Sequence, residues 1–159
     1  MKFEDFKNYH AGETIVVCGL GESLNLMTEP TKATTIGVND IGRKFHPDYL
    51  INVNNRNQYK DDRFQFIEGT QANYLLTHVP REQGAAKAPI VEFKIQSSAA
   101  GVEVIDSTVP HFRTTPYLAC SIAHYMGARR IGLIGVDFGL PAGGGFVEGR
   151  VHLQLVTTF

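Results

Sequence analysis

The chain has 159 residues, of which 15 are basic and 16 acidic, for a formal net charge of −1. That length fits one domain with a real core, and 43% apolar against 19% charged residues excludes disorder as the default state. Near-neutral charge argues against broad electrostatic capture of nucleic acid or of an anionic membrane and leaves room only for a small local basic site.

The two cysteines, Cys18 and Cys120, lack metal-ligand spacing and read as buried thiols of a reducing cytoplasm, so no zinc site is expected. Residues 1–13 are acidic and interrupted rather than an apolar signal core, and no run approaches the roughly 20 apolar residues of a membrane span. A cytoplasmic protein without a membrane span is the expectation.

In chain order, residues 1–13 read as an amphipathic lead-in whose Phe3 and Phe6 cover an edge of the core. Residues 14–18 (TIVVC) form a β-branched, unbroken apolar run, as suits a parallel strand buried on both faces. Gly19 and Gly21 then permit a tight turn and close approach of backbone N–H groups to a ligand. Ser23 is placed to cap or line a short helix through Met27. The same glycines also end strands in sheets that bind nothing, and Leu24 stands where a dinucleotide fingerprint has its third glycine.

Residues 34–38 (TTIGV) are the second strand and close in Asn39 and Asp40. Residues 49–53 (YLINV) are the third and close in Asn54, Asn55 and Arg56. Each apolar run thus hands over to small or hydrogen-bonding residues at its carboxyl end, where open α/β sheets place ligands; the alternative is a turn using Asn and Asp for local hydrogen bonds. Residues 64–67 and 74–78 read as short strands, 83–88 as a loop, and 90–95 as an edge strand or hairpin arm. His78 and Arg81 in this stretch read as structural.

Thr114 or Thr115 as N-cap, Pro116 in the first turn and Gly127 as a left-handed terminator bracket a helix with Leu118, Ala119, Ile122, Ala123 and Met126 on one apolar face. Residues 131–136 (IGLIGV) are a further apolar strand ending in Asp137, which reads either as a ligand to a hydroxyl, amine or hydrated magnesium ion or as a turn residue. Residues 141–145 read as a lid or connector. Residues 146–159 contain His152 in a run able to pair as a strand or pack against a second copy, giving a homo-oligomer. The elements predict one α/β domain over 1–159, a Rossmann-like three-layer sandwich around a mostly parallel central sheet.

GLGESL at 19–24, TIGVND at 35–40, PDYLINVN at 47–54 and TTPYLACSIAHYMGARRIGLIGVDF at 114–138 together resemble a nucleotide-binding superfamily. It comprises the bacterial sialyltransferases that use CMP-sialic acid and the related 6-hydroxymethylpterin diphosphokinase-like proteins. The resemblance covers most of the chain. It implies that Gly19, Gly21 and Ser23 contact nucleotide phosphates and that Asn39 lies beside the nucleotide or transferred group. It further implies that Asn54 follows the third strand as a site amide, that Thr115 begins the helix facing the site, and that Asp137 forms the far wall.

The ligand so implied is a nucleotide or nucleotide-sugar with a CMP-type donor moiety. The family's histidine general base has His152 as its first positional candidate here and His111 as its second. Glu22 replaces the family's proline, and the chain ends soon after the last strand, where relatives add helices or a lid, so a shortened version of the family is expected. The implied activity is sugar transfer from a nucleotide-activated donor. The alternatives are a non-catalytic nucleotide- or partner-binding relative, and an ATP- and magnesium-dependent pyrophosphokinase with Asp40 and Asp137 as metal-binding carboxylates.

Overall fold

The computed structural model describes residues 1–27, 32–98, 101–112, 114–137 and 156–157. Five strands, β1 (Thr14–Cys18), β2 (Thr34–Val38), β3 (Tyr49–Ile51), β4 (Tyr74–Thr77) and β5 (Ile90–Glu92), form successive parallel neighbours. A short helix α1 (Gln65–Glu68) precedes β4. After β5 the chain leaves this sheet: β6 (Lys94–Ser97) pairs in parallel with β7 (Thr108–His111) as a separate two-stranded sheet. Helix α2 (Thr115–Tyr125) then returns the chain to β8 (Arg130–Ile134), parallel to β1 on the side away from β2, and β9 (Val156–Thr157) adds antiparallel to β8. The main sheet therefore runs β5-β4-β3-β2-β1-β8-β9. This is the expected α/β Rossmann-like sandwich with a mostly parallel central sheet.

Side-chain alternation along the strands builds one core on each face. Ile15, Val17, Ile36, Val38, Tyr49, Ile51, Leu76 and Ile131 face α2 and the N-terminal segment, whose Phe3 and Phe6 are buried as expected. Cys18, Leu50 and Leu75 face the other way, onto Leu24, Ile41, Phe64 and Ile67 from the short helical turns that link β1 to β2, β2 to β3 and β3 to β4. No helix among the described residues is long and apolar enough to cross a membrane.

Several local expectations are corrected. Residues 64–67 are not a strand but lie in the 3-10 turn Asp61–Phe64 and α1, because burying Phe64 and Ile67 together requires helical i, i+3 spacing rather than strand alternation. The third strand stops at Ile51, two residues early, and the short helix after the glycine turn is a 3-10 helix, Glu22–Leu26. The run 90–95 splits at Phe93, whose N–H donates to Thr77 O while its ring is buried. The helix bounded by Thr114 and Gly127 is present, with Thr114 Oγ1 accepting from Tyr117 N and Gly127 at φ +85.

Burial pushes the Cys18 thiol up to about 12 and the Cys120 thiol up to about 11, so neither forms an appreciable thiolate near neutral pH. A thiol-reactive reagent at pH 8 is expected to label neither cysteine until denaturant is added. Rapid labelling of the folded protein would contradict this placement.

Candidate functional site

β1 and β8 run in register, Cys18 opposite Ile134, so the loops leaving their carboxyl ends emerge side by side. Gly19 N–H donates to Ile134 O at 2.8 Å and Gly21 N–H to Gly135 O at 2.7 Å. A Cβ on Gly19 would stand 2.3 Å from Gly135 O, and one on Gly21 would stand 2.5 Å from Asp137 Oδ2. The glycines are thus demanded by contact between two loops of this chain.

The Asp137 carboxylate closes the junction. Its Oδ2 accepts from Ser23 N at 2.8 Å and its Oδ1 from Ser23 Oγ at 2.5 Å, while Ser23 Oγ accepts from Gly135 N at 2.8 Å. An anion therefore already sits at the start of the 3-10 turn, supplied from 114 residues away. Glu22, at the family's proline position, is exposed and does not line the neighbouring cleft.

After β2, Asn39 takes a left-handed conformation, φ 55, and its N–H donates to Ile51 O at 2.9 Å. The next residue, Asp40, is fully buried and bound by Arg63 through two 2.8 Å contacts, with Arg43 Nε at 3.3 Å. Burial raises the Asp40 carboxyl, but hydrogen bonds from Arg63 and the backbone, with the charges of Arg63 and Arg43, outweigh it and leave the group below its ordinary range. Asp40 is thus committed to the fold. It does not line the cleft with Asp137 as a magnesium pair, and no cluster of three or more potential metal ligands occurs among the described residues.

The amide that sequence reading missed is Asn52. It is fully buried just beyond β3; its Nδ2 donates to Asn54 O at 3.0 Å, and its Oδ1 accepts from Asn54 N at 3.1 Å. Tyr59 Oη lies 2.8 Å from Asn52 Oδ1 and 3.2 Å from the side-chain amide of Asn39. A polar residue inside the run YLINV was the signal available. Asn54 meets Asn52 through its backbone and hydrogen-bonds Tyr59 through its side chain.

These elements surround an open cleft of about 210 Å3 at the carboxyl edge of the sheet. Gly19 and Leu20 form one wall, Gly135, Val136 and Asp137 a second, Val38 and Asn39 the floor, and Thr114 and Pro116 the entry to α2. Of the expected site residues, Gly19, Asn39 and Asp137 line it directly. Gly21 and Ser23 stand behind Asp137, and Thr115 is buried between two lining neighbours.

His111 ends β7, half-buried and outside the cleft lining, and the positive charge it carries when protonated adds to burial in pushing His78 below its ordinary value. His78 Nδ1 and Arg81 Nε are buried without a partner among the described residues, and Arg81 stacks 4.8 Å from the Phe64 ring centre. His152 lies outside the described residues. Comparison with protein-family models, with curated proteins and with solved structures found no match.

Proposed function

We propose that the chain binds a nucleotide or nucleotide-activated sugar in this cleft and serves in sugar transfer of the sialyltransferase-like kind. The observation that carries the reading is the cleft's position. The strand order reverses between β1 and β8: the link that follows β1 packs with Leu24 on one core, while α2, which leads into β8, packs on the other. In open α/β sheets that divergence is where ligands bind. The first turn of α2, an 11-residue helix, opens onto the cleft at Thr114 and Pro116 and offers partial positive charge to a phosphate.

Asp137 is the one titratable side chain among the described lining residues. That observation favours a second reading, a binding protein without turnover, in which the cleft orients a nucleotide but supplies no base. Calorimetry with CMP, CTP, ATP and GDP separates binding from no binding, and hydrolysis or transfer from CMP-sialic acid separates the two readings. The cleft is smaller than the roughly 300–1,000 Å3 of sites that enclose a whole ligand, so a dissociation constant on the order of 0.1–1 mM is expected for the preferred nucleotide. Absence of binding by all four at millimolar concentration would overturn the proposal.

A further inference from the structure

Of the lysines and arginines among the described residues, all but Arg63 and Arg81 are exposed. Arg63 is neutralised by Asp40 at 2.8 Å, whereas no carboxylate among the described residues lies within ion-pair distance of the Arg81 guanidinium. The acids around it are engaged otherwise: Glu92 Oε1 accepts from the main-chain N–H of Arg81 at 3.3 Å, and Glu68 is tied to Arg56 at 2.8 Å. The guanidinium makes one long hydrogen bond, Nη2 to Asn54 O at 3.4 Å, and its Nε is buried without an acceptor among the described residues. Burial pushes Arg81 below its ordinary value, with Tyr59 and Glu68 acting against it, yet a guanidinium keeps its proton at any ordinary pH. The charge therefore stays, and it is held in place 4.8 Å from the Phe64 ring centre. A half-buried cation, fixed before any ligand arrives and lacking a counter-charge, is suited to bind an oxyanion with little loss of side-chain freedom.

Arg81 follows the carboxyl end of β4 and meets the chain just beyond β3, so it stands on the same sheet edge as the cleft. A polar line joins the two places. Arg81 and Asn52 donate to one carbonyl, Asn54 O, and Asn52 Oδ1 accepts from the Tyr59 hydroxyl, which also lies 3.2 Å from Asn39 Oδ1 on the cleft floor. With parallel strands about 4.8 Å apart, the ends of β3 and β1 are separated by about 10 Å, a span that a nucleoside diphosphate or sugar nucleotide covers. The titratable side chain of the described lining is a carboxylate, Asp137, so Arg81 supplies a full positive charge that this lining lacks. We propose that Arg81 is an oxyanion subsite beside the cleft, taking a second anionic group of the bound molecule, a phosphate or a carboxylate, while the first lies at the start of α2. The identity of that molecule rests on the nucleotide reading; the anion site itself does not.

Nuclear magnetic resonance on the isotope-labelled full chain tests the site first. Inorganic phosphate or acetate is expected to shift the Arg81 Nε–H signal saturably, and no shift with either overturns the proposal. Calorimetry with CMP, CDP and CMP-sialic acid then tests the ligand. CDP or CMP-sialic acid is expected to bind the parent about 10- to 100-fold more tightly than CMP, and Arg81→Gln, which keeps the stem over Phe64, is expected to abolish that gain. A gain with CDP assigns the oxyanion to a second phosphate; a gain with CMP-sialic acid assigns it to a carboxylate. Arg81→Lys keeps the charge without the planar fork and should retain part of the gain, and it carries the comparison if the glutamine variant does not fold. No gain in the parent, or a gain undiminished in either variant, overturns the proposal and leaves the nucleotide reading standing. Failure of every nucleotide to bind overturns that reading alone, and the phosphate and acetate titrations still decide the site.

Discussion

Gly19→Ala is expected to destabilise the protein by about 3 kcal/mol, at the upper end of overpacking substitutions. The added methyl would lie 2.3 Å from Gly135 O and 2.9 Å from its carbonyl carbon, and both are backbone atoms with no rotamer through which to yield. Relief requires the ends of β1 and β8 to separate. That would also break the Gly21 bond to Gly135 O and move Ser23 from Asp137. Gly132→Ala in β8 is the matched control: its methyl would stand 3.6 Å from Val16 Cγ2, an ordinary contact, and a shift within about 0.5 kcal/mol is expected. Urea unfolding of the two variants reads the difference. Equal stabilities would show that the two loops do not meet as described.

The strands were legible wherever the chain carries an unbroken apolar run. β1 and β2 lie at 14–18 and 34–38, as their β-branched residues predict, because burial on both faces leaves no polar break to misread. The third run fails at Asn52, an amide buried as deeply as its apolar neighbours: the sequence displays polarity there but not the Tyr59 and Asn54 partners that make its burial tolerable. FQFI at 64–67 satisfies strand alternation and helical spacing equally, and only packing of Phe64 with Ile67 decides for the helix. β7 contains Pro110, which counts against a strand until it is seen to pair only with β6.

At the site, polar residues at strand ends were readable one strand at a time. Their alliances were not. Ser23 with Asp137 spans 114 residues and Asp40 with Arg63 spans 23, and neither pairing leaves a local trace in the sequence. The glycine turn looked like a phosphate loop because its glycines and serine are of the right type. What the sequence does not display is that the N–H groups of Gly19, Gly21 and Ser23 bond to the neighbouring loop of the same chain.

Arg63→Ala is expected to cost about 3 kcal/mol near neutral pH, the lower end for breaking one side of a buried ion pair, because Arg43 Nε remains 3.3 Å from the carboxylate and Arg63 itself is 42% exposed. For a domain of this size that corresponds to a fall of roughly 6–12 °C in Tm. The pH dependence follows from the direction of the Asp40 shift. In the parent protein its folded value lies below the unfolded one, so its contribution is complete above about pH 4 and fades as pH falls through the depressed folded value. In the variant, burial without Arg63 raises Asp40, and protonation relieves the uncompensated charge. The gap between the two proteins should therefore be widest near pH 7 and narrow in acid, as denaturant midpoints across that range would show. Asp40→Asn combined with Arg63→Ala should recover part of the loss, because no buried charge is left unpaired. A constant gap at all pH values would place the cost in lost packing over Tyr59, where the Arg63 guanidinium lies 6.0 Å from the ring centre. Because Asp40 follows Asn39 directly, loss of Arg63 should also release the left-handed turn that holds Asn39 in the cleft, weakening any ligand that depends on it.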